Sequence, residues 1–322
     1  MEVGTEVTGG RFQILSLDGG GLRGMFSAAV LARLEEDLDL RVTDHFDLIA
    51  GTSTGGIIAV GLGLGLTPRQ ILQFYTDHGP RIFRDRSRLR GARQLLRAKY
   101  AAEPLRAALT EVLGERTFGE STKRLLITSY NIGADDVYLF RTPHLATLKR
   151  DWRERAVNVA MATAAAPTYL PGMALGGARL VDGGVWANNP AMVALTEAVG
   201  PLGVPLEQIR VFSLGTTTDR PHRSRRLDRG GLLPWARDVV EVLMRAQSES
   251  ATKQVRHFLG NGNVLRLNPT VPTGALALDK VDADSLIGLA GHESRVASPA
   301  FTRCFADHFA PAYVPFYPAR KD

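Results

Sequence analysis

The sequence predicts an α/β fold: a mostly parallel central sheet flanked by helices on both faces, with a C-terminal helical appendage. Two patterns carry that expectation. Over the first two thirds of the 322 residues, short apolar runs alternate with helix-period segments. The first two of those runs each end in a glycine-rich turn that leads into a helix, as strands of a parallel sheet do. With 44% hydrophobic and 22% charged residues, the chain can bury a large core and is neither disordered nor collagen-like. Residues 10–216 read as the core, and 217–322 as a basic loop and helical region packed on it, so most of the chain forms one domain.

Phe12 to Asp18 reads as the first strand, ending in Gly19, Gly20 and Gly21. Met25 to Leu38 follows as an amphipathic helix, with Met25, Ala28, Ala29, Ala32 and Leu38 among its apolar positions. Phe46 to Ala50 is the second strand, and Gly51 to Gly56 turn it into an apolar helix from Ile57. At Thr67, Pro68 and Gln70 a helix starts: the threonine caps, the proline suits the first turn, and the glutamine bonds back. Further strands fall at Arg124 to Tyr130, Val137 to Arg141, Arg179 to Val181 and Ile209 to Leu214. Arg153 to Ala166 is a helix stopped by Pro167, and Asn189 with Pro190 starts another that ends near Val199. Arg220 to Gly231 reads as a basic loop, Leu232 to Leu259 as a long helix, and Ser298 to Phe309 as the last one.

Gly51, Thr52, Ser53, Thr54 and Gly55 spell G-x-S-x-G between a strand and a helix, the setting of a nucleophile elbow. Ser53 would stand at a helix N-terminus, where the dipole favours developing negative charge. Taken alone, the pentapeptide also fits a plain glycine turn. Upstream, Gly19, Gly20, Gly21, Leu22, Arg23 and Gly24 place a run of backbone N–H groups at the neighbouring strand end. The same residues match a dinucleotide fingerprint, which wants an acid at the end of the next strand. Asp44 and Asp47 instead precede that strand, so the loop reads as an oxyanion hole.

A base is still needed, and none of the seven histidines, His45, His78, His144, His222, His257, His292 and His308, sits in a strand-end glycine turn. Asp182 does, followed by Gly183 and Gly184. A plain Asp-Gly turn is the bland reading of that segment. A carboxylate of pKa about 4 is a poor base for a hydroxyl, so a Ser/Asp pair demands contact, burial and strong oxyanion stabilisation.

Together the three segments resemble the patatin-like phospholipases, whose pattern is a GGGxRG loop, a GxSxG elbow and a later DGA or DGG. The resemblance runs over roughly residues 12 to 216 and implies a three-layer α/β/α fold and a metal-independent lipid acyl hydrolase without cofactor. Carried over by position, it makes Ser53 the nucleophile, Asp182 the proton acceptor, and the amides of Gly20 and Gly21 the oxyanion hole. Gly19, Arg23, Gly24, Gly51, Gly55, Gly183 and Gly184 support the motifs, with Arg23 at the loop's basic position. Asn188, Asn189 and Pro190 read first as helix-capping residues, and Asn188 alternatively as a brace for the Asp182 loop. The small apolar run from Ala160 to Pro167 reads as core. Two other readings stay open: a Ser-His-Asp hydrolase using His257 or His292, and a non-catalytic nucleotide-binding module.

The formal net charge is +6, which favours anionic partners. The excess is concentrated in Arg81 to Arg106, where Leu89, Ala92, Leu96 and Tyr100 give helical spacing, and in Arg220 to Arg229. Such segments suit a phospholipid membrane surface. Nucleic acid polymer is a poorer fit, because the first segment interleaves only Phe83 and Tyr100 as aromatics. Length and overall likeness also resemble effectors of cyclic-oligonucleotide antiphage systems, which implies a cyclic oligonucleotide activator and permits a homo-oligomer. Cys304 is the only cysteine, so no intrachain disulfide or multi-cysteine metal site is expected. Met1 to Arg11 lacks a signal-peptide pattern, and Gly55 to Leu66 is too short to span a bilayer. The expected location is cytoplasmic, peripheral at the inner membrane when active.

Overall fold

Residues of the central strands alternate between two separate cores, and this period-2 division is why the sheet is covered on both faces. In the first strand Leu15 and Leu17 join one cluster, while Phe12 and Ile14 join the other. Strands buried on both sides read as continuous apolar runs, which is the pattern the sequence displays. The computed structural model describes residues 10–83, 98–219, 227–231, 235, 239–271 and 282–317.

The strands are β1 (Phe12–Leu17), β2 (Leu48–Thr52), β3 (Arg124–Asn131), β4 (Asp136–Arg141), β5 (Met173–Leu175), β6 (Ala178–Asp182), β7 (Ile209–Leu214), β8 (Thr218–Asp219), β9 (Val264–Leu267) and β10 (Thr270–Val271). The α-helices are α1 (Gly24–Leu38), α2 (Thr54–Gly63), α3 (Pro68–Ile82), α4 (Glu103–Leu113), α5 (Ala156–Thr163), α6 (Gly184–Ala187), α7 (Ala191–Val199), α8 (Val239–Leu259) and α9 (Ala283–Phe305). The main sheet runs β5-β6-β3-β2-β1-β7-β9, with β4 paired to β3, and β8 and β10 form a small parallel pair. The five strands from β3 to β9 are parallel, whereas β4, β5 and β6 add an antiparallel extension. Helices α1 to α5 and α9 supply one core, and α7 and α8 the other.

Most expected elements are present with shifted ends. The Thr67 start forms as a capping box, with the Gln70 amide donating to Thr67 Oγ1 at 3.2 Å and the Thr67 amide to Gln70 Oε1 at 2.9 Å. Four strands escaped the sequence reading: β5, β9 and the two-residue partners β8 and β10. β5 and β6 are joined by Gly176 and Gly177, both at positive φ, a two-residue hairpin turn whose Gly-Gly signature was there to read. β9 follows Asn261 to Asn263 and completes the parallel edge.

The last helix is also longer than its sequence pattern suggested, because Pro299 sits inside it. Packing overrides the proline: Leu286, Ala290, Ala297, Phe301 and Phe305 fall on one buried face. Phe301 is fully buried in an aromatic cluster with Phe46, Phe212 and Phe305, which ties the C-terminal helix to the sheet. Phe301→Ala should therefore cost about 3–5 kcal/mol of stability, read as a lowered urea midpoint at unchanged slope.

Candidate active site

β2 and β6 reach the middle of β3 from opposite directions. The last residue of β2, Thr52, pairs with Thr128, and the last residue of β6, Asp182, pairs with the next position, Ser129. The register alone therefore brings Ser53 and Asp182 together. Because β2 runs parallel and β6 antiparallel to β3, the two strand ends meet head to head inside the sheet.

Side chains lock this junction. Thr52 and Thr128 share a hydroxyl hydrogen bond of 2.7 Å, and Thr52 also donates to the Ala187 carbonyl at 2.6 Å. Ser129 donates to the Val181 carbonyl at 2.7 Å, while the Trp186 indole donates to the Ser129 carbonyl at 2.9 Å. Gly183 is required here, since a Cβ on it would lie 2.1 Å from Thr128 Oγ1.

Ser53 stands between β2 and α2 at φ 55, ψ −122, a conformation that costs a non-glycine residue of order 1–3 kcal/mol. The strain thus falls on the serine itself. The flanking glycines serve close approach: a Cβ on Gly51 would sit 2.3 Å from the Gly55 carbonyl oxygen, and one on Gly55 2.2 Å from that of Leu17. The Ser53 amide donates to Thr163 Oγ1 at 2.9 Å, and Thr163 donates onward to the Thr128 carbonyl at 2.7 Å, so the strained turn is tied back to β3. Thr54 shares a short hydroxyl contact with Tyr75, whose own pKa is raised by burial.

The Ser53 hydroxyl donates to Asp182, and Asp182 Oδ1 also accepts the Gly184 amide at 2.7 Å. Asp182 is buried, and loss of water pushes its pKa from 3.8 up to about 6; the two hydrogen bonds oppose the shift without cancelling it. The carboxylate is therefore a stronger base than an exposed one and is still mostly ionised at neutral pH.

The glycine loop lies alongside. The Gly19 amide is consumed by the Asn188 carbonyl at 2.9 Å, and the Gly19 carbonyl accepts from Thr216 Oγ1 at 3.2 Å and Asn188 Nδ2 at 3.4 Å. Among the described residues, the amides of Gly20 and Gly21 have no acceptor. Gly21 has φ 59, and a Cβ on Gly20 would lie 2.0 Å from Thr216 Oγ1. Gly24 packs on Thr54, and Arg23 Nε reaches the Gly20 carbonyl at 3.4 Å.

These groups open into a cavity of about 770 Å³. Its lining combines polar residues, among them Arg23, Arg245, Glu249 and Asn268, with apolar ones, among them Ile57, Phe74, Leu105 and Leu170, and includes Ser53 and Asp182. A cavity lined by both kinds of residue suits an amphiphile.

The remaining sequence candidates separate clearly. His257 and His292 are exposed on α8 and α9 and do not line the cavity, which removes them as a base for Ser53. Asp44 and Asp47 lie ahead of β2, at the opposite end of the strand from Ser53, which leaves the dinucleotide reading without its acid. Asn189 does cap, accepting the Ala191 amide at 3.0 Å. The Asn188 side chain braces the glycine loop rather than the Asp182 loop, joining Gly19 to Ser248 on α8. Sequence reasoning missed Thr163, Thr216 and Ser248, single hydroxyl residues with no local motif. Of the basic segments, residues 84–97 and 220–226 lie outside the described residues, while Arg229 is exposed and Arg106 Nη1 donates to Asn158 Oδ1 at 3.1 Å. Among the described residues, no group of three or more His, Cys, Asp or Glu side chains is placed to hold a metal ion.

A profile described as patatin-like phospholipase matches residues 15–195. A cGAMP-activated phospholipase from Pseudomonas aeruginosa is 34% identical over 280 residues, covering 84% of this chain and 83% of that protein. One from Vibrio cholerae is 31% identical over 348 aligned positions, covering 96% of each. Patatin-like protein 1 of Oryza sativa is 30% identical over 345 positions, covering 92% of this chain and 83% of the plant protein.

The raised pKa of Asp182 carries a stability prediction. A folded-state value of about 6 against 3.8 means that the folded form binds this proton more tightly than the unfolded form. Keeping Asp182 ionised at pH 7 then costs the fold about 3 kcal/mol, a cost that vanishes as pH falls through 6 toward 4. Asp182→Asn should accordingly raise stability at pH 7 by up to about that amount and leave it little changed near pH 4, by urea denaturation at the two pH values.

Proposed function

The chain belongs to the patatin-like phospholipase family, a family of lipid ester hydrolases, and on that premise we propose that Ser53 and Asp182 form a catalytic dyad that cleaves the carboxylic esters of membrane phospholipids through an acyl-enzyme. Asp182 takes the Ser53 proton as Ser53 Oγ attacks the ester carbonyl. The amides of Gly20 and Gly21, which have no acceptor among the described residues, donate to the oxyanion that develops. As the tetrahedral intermediate collapses, Asp182 returns its proton to the departing alcohol oxygen. A water then transfers a proton to Asp182 and attacks the acyl carbonyl, and as the second tetrahedral intermediate collapses Asp182 returns that proton to Ser53 Oγ, releasing the fatty acid and restoring both residues.

The observation that carries this reading is the buried Asp182 in hydrogen-bond contact with Ser53 beside two loop amides that lack acceptors. The mixed lining of the cavity supports a phospholipid, whose acyl chain would pack on apolar residues such as Phe74, Leu105 and Leu170 and whose headgroup would face Arg23 and Arg245. Among the described residues no helix is long and apolar enough to cross a membrane. Peripheral contact with the cytoplasmic membrane surface is the mode of access we favour, with the basic segments as its electrostatic component. The bacterial relatives are named for activation by cGAMP, which supports a cyclic dinucleotide as the activator of this chain and a role in antiphage defence.

Asp182→Asn should lower kcat by on the order of 10²- to 10⁴-fold in a folded protein. Ser53→Ala should abolish both turnover and labelling by a fluorophosphonate, and near wild-type turnover in either variant would overturn the dyad. Since only the ionised carboxylate accepts a proton, kcat should fall about tenfold per unit below pH 6, with the limb centred on the Asp182 pKa of about 6. A limb centred near 4 would mean that burial does not set the basicity. Phospholipid hydrolysis should rise on addition of one member of a cyclic dinucleotide panel; absence of both binding and activation by every member removes that part of the reading.

A further inference from the structure

Asp18 immediately precedes the three glycines and is a buried carboxylate on the cavity wall, 4% exposed. An uncompensated negative charge at this point would oppose the oxyanion that Gly20 and Gly21 are placed to receive. The compensation comes from β9. Arg266 Nη1 donates to Asp18 Oδ1 at 2.8 Å and Nη2 to Oδ2 at 2.6 Å, and Nη1 also donates to Ser213 Oγ at 2.8 Å. The arginine side chain is 9% exposed and does not line the cavity, so it reaches the site only through Asp18.

Two features argue against a purely stabilising pair. Buried ion pairs seldom stabilise a fold beyond what apolar residues of similar volume would, because both charges lose their water. In addition, the pair sits where the loop's free amides depend on it. Asp18 donates its amide to the Leu214 carbonyl at 3.0 Å and Gly19 to that of Asn188 at 2.9 Å, and past those two anchors no acceptor holds Gly20 or Gly21. The carbonyls of the same two peptide planes are held by Thr216, Asn188 and Arg23, and the two-point guanidinium contact fixes Asp18, where the loop begins, in angle as well as distance.

We propose that Arg266 is a positioning residue of the hydrolysis, anchoring and neutralising Asp18 so that the Gly20 and Gly21 amides face the oxyanion without an opposing charge beside them. The proposal rests on the Ser53–Asp182 reading. It assigns a role in the reaction to the C-terminal third, beyond the family-matched residues 15–195.

The test compares wild type with Arg266→Lys, Arg266→Met and the double variant Asp18→Asn/Arg266→Met. Its readouts are steady-state hydrolysis of a soluble fluorogenic ester and affinity for a trifluoromethyl ketone that mimics the tetrahedral intermediate. Arg266→Met should lose on the order of 10²-fold in kcat, keep KM within about threefold, and lose ketone affinity by a factor similar to the loss in kcat. Arg266→Lys, which keeps the charge and one contact, should fall between it and wild type. The double variant, which buries no charge, should regain part of the kcat lost in Arg266→Met. Wild-type kcat and ketone affinity in folded Arg266→Met, a loss confined to KM, or a double variant no better than the single would overturn the proposal. Should Arg266→Met fail to fold, the lysine and double variants decide by the same criteria, each against wild type. Failure of the underlying reading is recognised separately: a fluorophosphonate would then leave Ser53 unlabelled in wild type itself, whereas failure of this inference alone leaves wild type and Arg266→Met labelled alike.

Discussion

β2 and β6 terminate on β3 from opposite ends, and the register at Thr128 and Ser129 decides whether Ser53 and Asp182 can touch. A slip of one residue in either strand would turn its last side chain to the other face of the sheet. The hydrogen bonds of Thr52, Thr128, Ser129 and Thr163 gather at this point, and Gly183 leaves room for the Thr128 hydroxyl. Register, more than any single catalytic side chain, is what the surrounding polar residues maintain.

Once the two groups meet, burial supplies the chemistry. An exposed aspartate would be a weak base for a serine; removal of water raises Asp182 toward neutrality, and in the proposed reaction the same removal would strengthen the donors of the glycine loop. The cost appears as strain at Ser53 and as desolvation of Asp182, a pattern common to sites that trade stability for activity. The fold offsets it with two apolar cores and the aromatic cluster that α9 brings against the sheet.

Local signals made much of this legible before any coordinates. Ser53, Asp182 and the glycine loop are read from short motifs, because tight turns and close backbone approach demand glycine at fixed offsets. The alternation of strand and helix in residues 12–214 is equally local. What resisted reading depends on distant packing. β9 is a four-residue strand whose value lies in pairing with β7, and the first half of α9 is hidden by Pro299 until its buried face is known. Asn188 looked like a helix cap because its neighbour Asn189 is one; its own side chain is claimed by Gly19 and Ser248, far apart in sequence. Arg266 carries no motif at all, and only the structure places it on Asp18.

In the proposed reaction, ester hydrolysis passes through a covalent acyl group on Ser53. Rapid quenching of the enzyme during phospholipid turnover, followed by peptide mass mapping, tests it directly. A fatty-acyl mass increment on the peptide containing Ser53 should form and decay at rates matching turnover. An increment on any other residue, or turnover with no acylated peptide at any quench time although deacylation limits the rate, would contradict it.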